Sequence, residues 1–130
     1  MPDQTVLSFD YGTQKIGVAI GNTLTRQARP LEIIVPKTRD RRFALIQALL
    51  DQWEPDLVVV GLPLAPDGTE QYTTLQARRF ANQLRGRFGV TVTMVDERGS
   101  SMEAQQLLGT HDPDDAVAAA VILQRYLDAL

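Results

Sequence analysis

Residues 5–20 read TVLSFDYGTQKIGVAI, and this stretch decides the fold. Residues 5–9 read as a strand. Residues 10–14 read as a turn in which Gly12 supplies an unusual φ. Residues 15–20 read as a second strand, so the pair predicts an antiparallel hairpin. Gly17 in mid-strand marks a place where backbone or ligand comes close. A third strand over 31–35 ends at Pro36.

Beyond this section helices and strands alternate. Asp40 suits an N-cap for a helix to about residue 53, with Phe43, Ile46, Leu49, Leu50 and Trp53 on one face. Pro55 stops it. Residues 57–60 (LVVV) form the continuous apolar run expected of a strand buried on both faces. A loop rich in Gly and Pro, GLPLAPDGTE, covers 61–70. A helix follows over 71–85, with Ala77, Phe80, Ala81 and Leu84 inward and Arg78 and Arg85 on a solvent face. Residues 90–95 (VTVTMV) alternate as a fifth strand. Ser100 and Glu103 have capping-box spacing for a short helix ending at Gly109. Asp112-Pro113 reads as the cap and first position of a last, largely buried helix to residue 130. Trp53 and Phe80 read as core, and His111 as a linker residue. The order predicts an α/β fold: a mixed five-stranded sheet with helices on both faces.

The 130 residues fit one domain, 1–130. There is no cysteine, which excludes a disulfide framework, a thiolate zinc site and a cysteine nucleophile. A single histidine excludes a multi-histidine metal site. No apolar run approaches the ~20 residues of a membrane span, and the first residues lack a signal-peptide pattern. A soluble cytoplasmic protein with no membrane partner is expected. The net charge of −3 hides an uneven distribution. Residues 26–42 carry six basic groups against two acids, and residues 78–87 carry four arginines and no acid. Residues 96–130 carry seven acids against two arginines. Eleven of the thirteen basic residues are Arg, which grips phosphate bidentately. The pattern reads either as ordinary solvated surface or as an acidic site flanked by phosphate-binding arginines.

The acids fall at telling places. Asp10 ends the first strand, Asp96 and Glu97 end the fifth, and Asp115 lies in the first turn of the last helix. Ligands of α/β sheets bind outside the carboxyl ends of strands. Converging carboxylates repel unless a cation joins them, and hard oxygen ligands favour Mg²⁺ or Mn²⁺. Two such ions roughly 4 Å apart activate water and stabilise the leaving oxygen in phosphodiester hydrolysis. Singly, each acid also has a plain reading, as turn support, helix cap or partner of Arg98.

Several segments together resemble the YqgF/RuvX family of RuvC-like proteins. They are FDYGTQKIGVAIG (9–21), VVVGLPLAPDGTEQ (58–71), ARRFANQL (77–84), DERGSS (96–101) and the closing DDAVAAAVILQRYL. Members are described as Holliday junction resolvases and as pre-16S rRNA 5′-end processing nucleases. The resemblance runs nearly the whole chain in order and implies a ribonuclease H-like fold. It implies a divalent-metal-dependent nuclease whose metal ligands are Asp10, Glu97 and Asp115, with Asp96 a further catalytic candidate. Adjacent residues at a strand end point apart, so one of the two DER acids faces the metal. Mg²⁺ or Mn²⁺ in a two-metal arrangement is the expected cofactor. Gly12, Thr13, Lys15, Arg98, Ser100 and Arg78 are the expected substrate contacts. The expected partners are pre-rRNA or branched DNA and ribosomal precursor particles, with the protein a monomer or homodimer.

Three departures from the family stand out: Gly99 after DER, a linker of only about residues 109–111, and Pro113-Asp114 before Asp115. They motivate an alternative, a catalytically inactive module that binds RNA or ribosomal precursors. The DxGT hairpin also looks like that of actin-like ATPases, but those need two domains closing on a nucleotide.

Overall fold

The computed structural model describes residues 3–98 and 115–130. In chain order these form β1 (Thr5–Tyr11), β2 (Ile16–Asn22), β3 (Gln27–Ile34), α1 (Arg39–Trp53), β4 (Leu57–Leu62), α2 (Tyr72–Phe88), β5 (Val92–Asp96) and α3 (Asp115–Asp128). The sheet order is β3-β2-β1-β4-β5. The β1–β2 and β2–β3 pairs are antiparallel. The β1–β4 and β4–β5 pairs are parallel. The mixed sheet is the expected one, and the carboxyl ends of β1, β4 and β5 share one edge.

Strand periodicity sorts the core into two layers. Leu7, Phe9, Val58, Val60 and Val92 pack with Phe43, Ile46, Leu49, Phe80 and Leu84 of α1 and α2. On the other face Val6, Leu57 and Val59 pack with Ala119, Ile122, Leu123 and Leu127 of α3. Ser8 is fully buried on that face and donates its hydroxyl to the Ala119 carbonyl at 2.8 Å, tying β1 to α3. β2 turns Gly17, Ala19 and Gly21 to the same side. A Cβ at Gly21 would press on Leu123 and Leu127, so α3 rides close over a shelf of small residues.

Several element boundaries differ from expectation. β1 continues through Asp10 to Tyr11, because the antiparallel ladder runs on to the Tyr11–Ile16 pair. Asp10 is therefore a strand residue, not a turn residue. β3 begins at Gln27 and passes through Pro30, which an edge strand tolerates, with a register shift opposite Val18/Ala19. Thr38, not Asp40, caps α1 by accepting the Arg41 N–H at 3.1 Å. α2 runs on to Phe88 and ends at Gly89, whose φ of 65° makes the left-handed cap. Trp53 is only partly buried, with the Arg29 guanidinium 5.7 Å from its ring centroid. Arg85 stays exposed, as expected, and also donates to the Val92 carbonyl at 2.8 Å. The short helix expected before Gly109, His111 and the Asp112-Pro113 cap lie outside the described residues.

Candidate active site

Side-chain alternation determines which acids meet. In β1, Val6, Ser8 and Asp10 point towards α3, while Leu7, Phe9 and Tyr11 point towards α1 and α2. In β5 and its extension, Val95 and Glu97 share the α3 side. Val92, Met94 and Asp96 take the other. Glu97 continues the ladder beyond β5 by donating its N–H to the Leu62 carbonyl at 3.1 Å.

β4 lies between β1 and β5, so the Glu97 carboxylate must cross it to reach Asp10. Gly61 makes that crossing possible. The β1–β4 register pairs Phe9 with Val60, which sets Asp10 beside Gly61. A Cβ at Gly61 would overlap Glu97 Oε2 and press on Ile122. On the other flank Asp10 pairs with Gly17. A Cβ at Gly17 would overlap the backbone carbonyl of Asp115. Two glycines thus let one acid lie over β4 and another approach over β2, with Asp10 between them.

The electrostatics record this convergence. Burial pushes the Asp10 carboxyl up to about 6; its hydrogen bond with Glu97 opposes the rise and the Asp115 charge adds to it. Burial also pushes Glu97 up, to about 8, reinforced by the Asp10 charge and their shared hydrogen bond, while Arg125 opposes the rise. Both shifts run in the direction that favours protonation of the pair. Among the described residues no three acids close round a common point to cage an ion. The direct hydrogen bond between Asp10 and Glu97 draws these two together instead. A hard divalent cation would offset the charge of such an all-carboxylate donor set. The donor chemistry of Asp10 and Glu97, oxygen ligands only, fits a hard cation such as Mg²⁺ or Mn²⁺.

Asp96 is drawn elsewhere. Arg98 Nη2 lies 2.7 Å from Asp96 Oδ2, and Arg98 Nε donates to the same oxygen at 2.8 Å. The Arg98 hydrogen bond holds the Asp96 carboxyl below its usual range. Arg98 also reaches the Pro66 carbonyl at 3.3 Å, fastening the DER turn to the loop after β4. Arg78, expected on the substrate, is paired with Glu70 at 2.5 Å. Gly12, Thr13 and Lys15 occupy the exposed β1–β2 turn. A Cβ at Gly12 would sit 2.6 Å from the Lys15 carbonyl, so turn geometry alone requires that glycine. Ser100 lies outside the described residues.

Two contributors escaped the sequence reading. Gly61 reads there only as the start of a loop; its signal is a glycine closing a buried β-branched strand beside the acid-bearing strand. Arg125 donates to the Asp96 carbonyl at 2.9 Å and so supports the chain just before Glu97. Its place in the last helix, far along the chain from DER, concealed that contact.

Comparison with known proteins places this geometry in context. Residues 4–129 match the family model RuvX, described as "Holliday junction resolvase". A Bordetella petrii protein named "Putative pre-16S rRNA nuclease" is 72% identical over 130 residues, covering 100% of this chain and 99% of that protein. A Burkholderia cenocepacia protein of the same name is 54% identical, over 98% of this chain and 91% of its own. Among solved structures, Thermus thermophilus RuvC in complex with a Holliday junction superposes with a TM-score of 0.61 at 19% identity, covering 97% of this chain and 94% of that one. The fowlpox virus Holliday junction resolvase gives a TM-score of 0.62 at 14% identity, covering 97% and 99%. The fold is that of these RuvC-like, ribonuclease H-type proteins.

Proposed function

The chain belongs to the RuvX (YqgF) family, and on that premise we propose that it is a divalent-metal-dependent nuclease that trims the 5′ end of pre-16S rRNA. The observation that carries this reading is the Asp10–Glu97 pair, reached across Gly61 and approached by Asp115 over Gly17. A partly buried carboxylate pair held together at the carboxyl edge of a sheet suits a phosphodiester substrate only when cations offset its charge. The names of relatives at 72% and 54% identity favour ribosomal RNA as the substrate.

Mg²⁺ or Mn²⁺, one ion or two, would supply Lewis-acid activation of water and stabilisation of the leaving oxygen. Asp10, Glu97 and Asp115 would hold it. Asp10 is fixed by its strand ladder, so the central ligand needs little reorganisation. Glu97 would serve as a ligand in its deprotonated form. Asp96 and Arg98 brace the turn that presents Glu97 and are positioning residues. Thr13 and Lys15, on the exposed hairpin turn next to Asp10, face the incoming nucleic acid. Residues 1–130 act as one nuclease domain in the cytoplasm, on pre-rRNA within ribosomal precursor particles, and a monomer suffices for a single cut.

The family description favours a second reading, resolution of a four-way DNA junction. That activity needs two symmetric cuts and hence a homodimer. End-labelled RNA spanning the 5′ end of 16S rRNA and a labelled four-way DNA junction, each incubated with Mg²⁺, Mn²⁺ or chelator, separate the two. Metal-dependent cutting of the RNA at a defined position supports the first reading. Cutting of the junction alone supports the second, and binding without cutting under every metal rejects both.

A further inference from the structure

On the opposite face of the sheet edge from the acidic pair, α1 and α2 enclose a groove of about 250 Å³ lined by Tyr11, Arg39, Arg42, Tyr72, Gln76, Arg79 and Gln83. Three arginines and no carboxylate line it. This contrasts with Arg78 and Arg98, whose charges are met by Glu70 and Asp96. Arg39 and Arg79 form no ion pair among the described residues. Arg42 lies with its guanidinium 5.4 Å from the Tyr11 ring centroid, and Tyr11 is itself stacked on Phe80 at 4.6 Å. Stacking holds that guanidinium in place while leaving its in-plane N–H groups for a ligand. Its enclosed Nε has no hydrogen-bond partner among the described residues, so no protein acceptor competes there for the guanidinium.

The groove adjoins the acidic centre along the chain. Asp10 and Tyr11 are consecutive at the end of β1 and point to opposite faces of the sheet. A chain draped over this edge meets the carboxylates on one side and the arginines on the other. We infer that the α1–α2 groove is a second phosphate subsite, in which Arg39, Arg42 and Arg79 grip a backbone phosphodiester of the substrate other than the one being cut. The inference rests on the nucleic-acid reading above and adds to it a specific anchor. Sited on the far side of the edge, the anchor fixes the direction in which the strand crosses the centre. It reads phosphate and not base or sugar, so RNA and DNA strands engage it alike.

Arg39 and Arg79 are exposed, so an Arg39→Gln/Arg79→Gln double variant removes two cations without opening the core. Binding of a short fluorescein-labelled single-stranded RNA, and of a DNA of the same sequence, is followed by anisotropy in chelator at several salt concentrations. The double variant is expected to bind both strands roughly tenfold more weakly, with the salt slope reduced by about 0.7 for each phosphate contact removed. Arg39→Lys/Arg79→Lys is expected to keep the slope yet lose affinity, because an ammonium cannot reproduce the bidentate fork. Unchanged affinity in the glutamine variant, a loss confined to one nucleic acid, full affinity in the lysine variant, or no binding by the unmodified protein overturns the subsite. Metal-dependent cleavage by the unmodified protein is measured alongside. If it fails while the glutamine variant still loses affinity on both strands, the nuclease reading falls and the subsite stands.

Discussion

The Glu97 carboxylate lies in the space that a side chain at Gly61 would occupy. The acid just after β5 reaches the acid on β1 only because the strand between them carries a hydrogen at that position. Gly61→Ala is therefore expected to displace Glu97 and lower cleavage on the order of 100-fold, the scale of a small misplacement of a catalytic group. The fold should survive, because Glu97 and the tip of Ile122 are side-chain ends that can turn aside. Single-turnover cleavage together with thermal melting checks this; an alanine variant with full activity would show that Glu97 need not cross β4.

Gly17 imposes a stricter demand. A Cβ there meets the main chain of Asp115, which cannot rotate away. Gly17→Ala is expected to push the start of α3 off the sheet and to cost about 1–3 kcal/mol, the range of overpacked cores. Urea unfolding measures the loss. An alanine variant as stable as the parent protein would show that α3 does not depend on this close approach.

The two neighbouring acids of the DER segment should separate cleanly. Glu97→Gln is expected to abolish metal-dependent cleavage. Asp96→Asn removes a partner of Arg98 on the other face of the strand and should reduce activity only severalfold. Equal losses in the two variants, measured at saturating metal, would contradict the division of roles.

The acidic pair sets a pH dependence of stability in chelator. Asp10 and Glu97 both titrate higher in the folded protein than in the unfolded chain. The folded state then binds more protons than the unfolded state, so stability falls as pH rises. The decline is expected between about pH 4, where the unfolded chain begins to lose these protons, and about pH 8, where Glu97 has lost its own. Mg²⁺ or Mn²⁺ should restore stability most at the alkaline end, where no proton competes. Melting temperatures across this range, with and without metal, test it; a metal-free stability that climbs from pH 5 to pH 8 would be incompatible with a buried acid pair.

Much of this arrangement is legible in the residue order. The hairpin, the apolar LVVV strand and the alternating VTVTMV strand are local patterns, and they suffice for the mixed sheet. The same alternation implies that only one of Asp96 and Glu97 can face Asp10. Which one depends on where β5 enters the ladder, and that is a property of its pairing with Leu62, not of its own residues. The early start of β3 was hidden because Gln27 and Arg29 are polar and Pro30 breaks the pattern, all permissible on an exposed edge. Arg78 resembled a free phosphate ligand because its partner, Glu70, becomes a neighbour only once the loop after β4 is folded. Gly61 carries no chemistry of its own, so its importance emerges only from what lies above it.

On the proposed reading Asp10, flanked by Glu97 and Asp115, would be the metal centre of a nuclease. Asp10→Asn tests it most directly, because it removes one charge from the middle of the cluster and keeps the shape of the side chain. Cleavage of the 16S precursor RNA in Mn²⁺ is compared for the two proteins, with folding verified by melting at pH 8. The expected result is metal-dependent cutting by the unmodified protein and none by Asp10→Asn, whose melting temperature without metal is equal or higher because a repulsive charge is gone. Equal cutting by the two proteins would contradict the assignment of the centre.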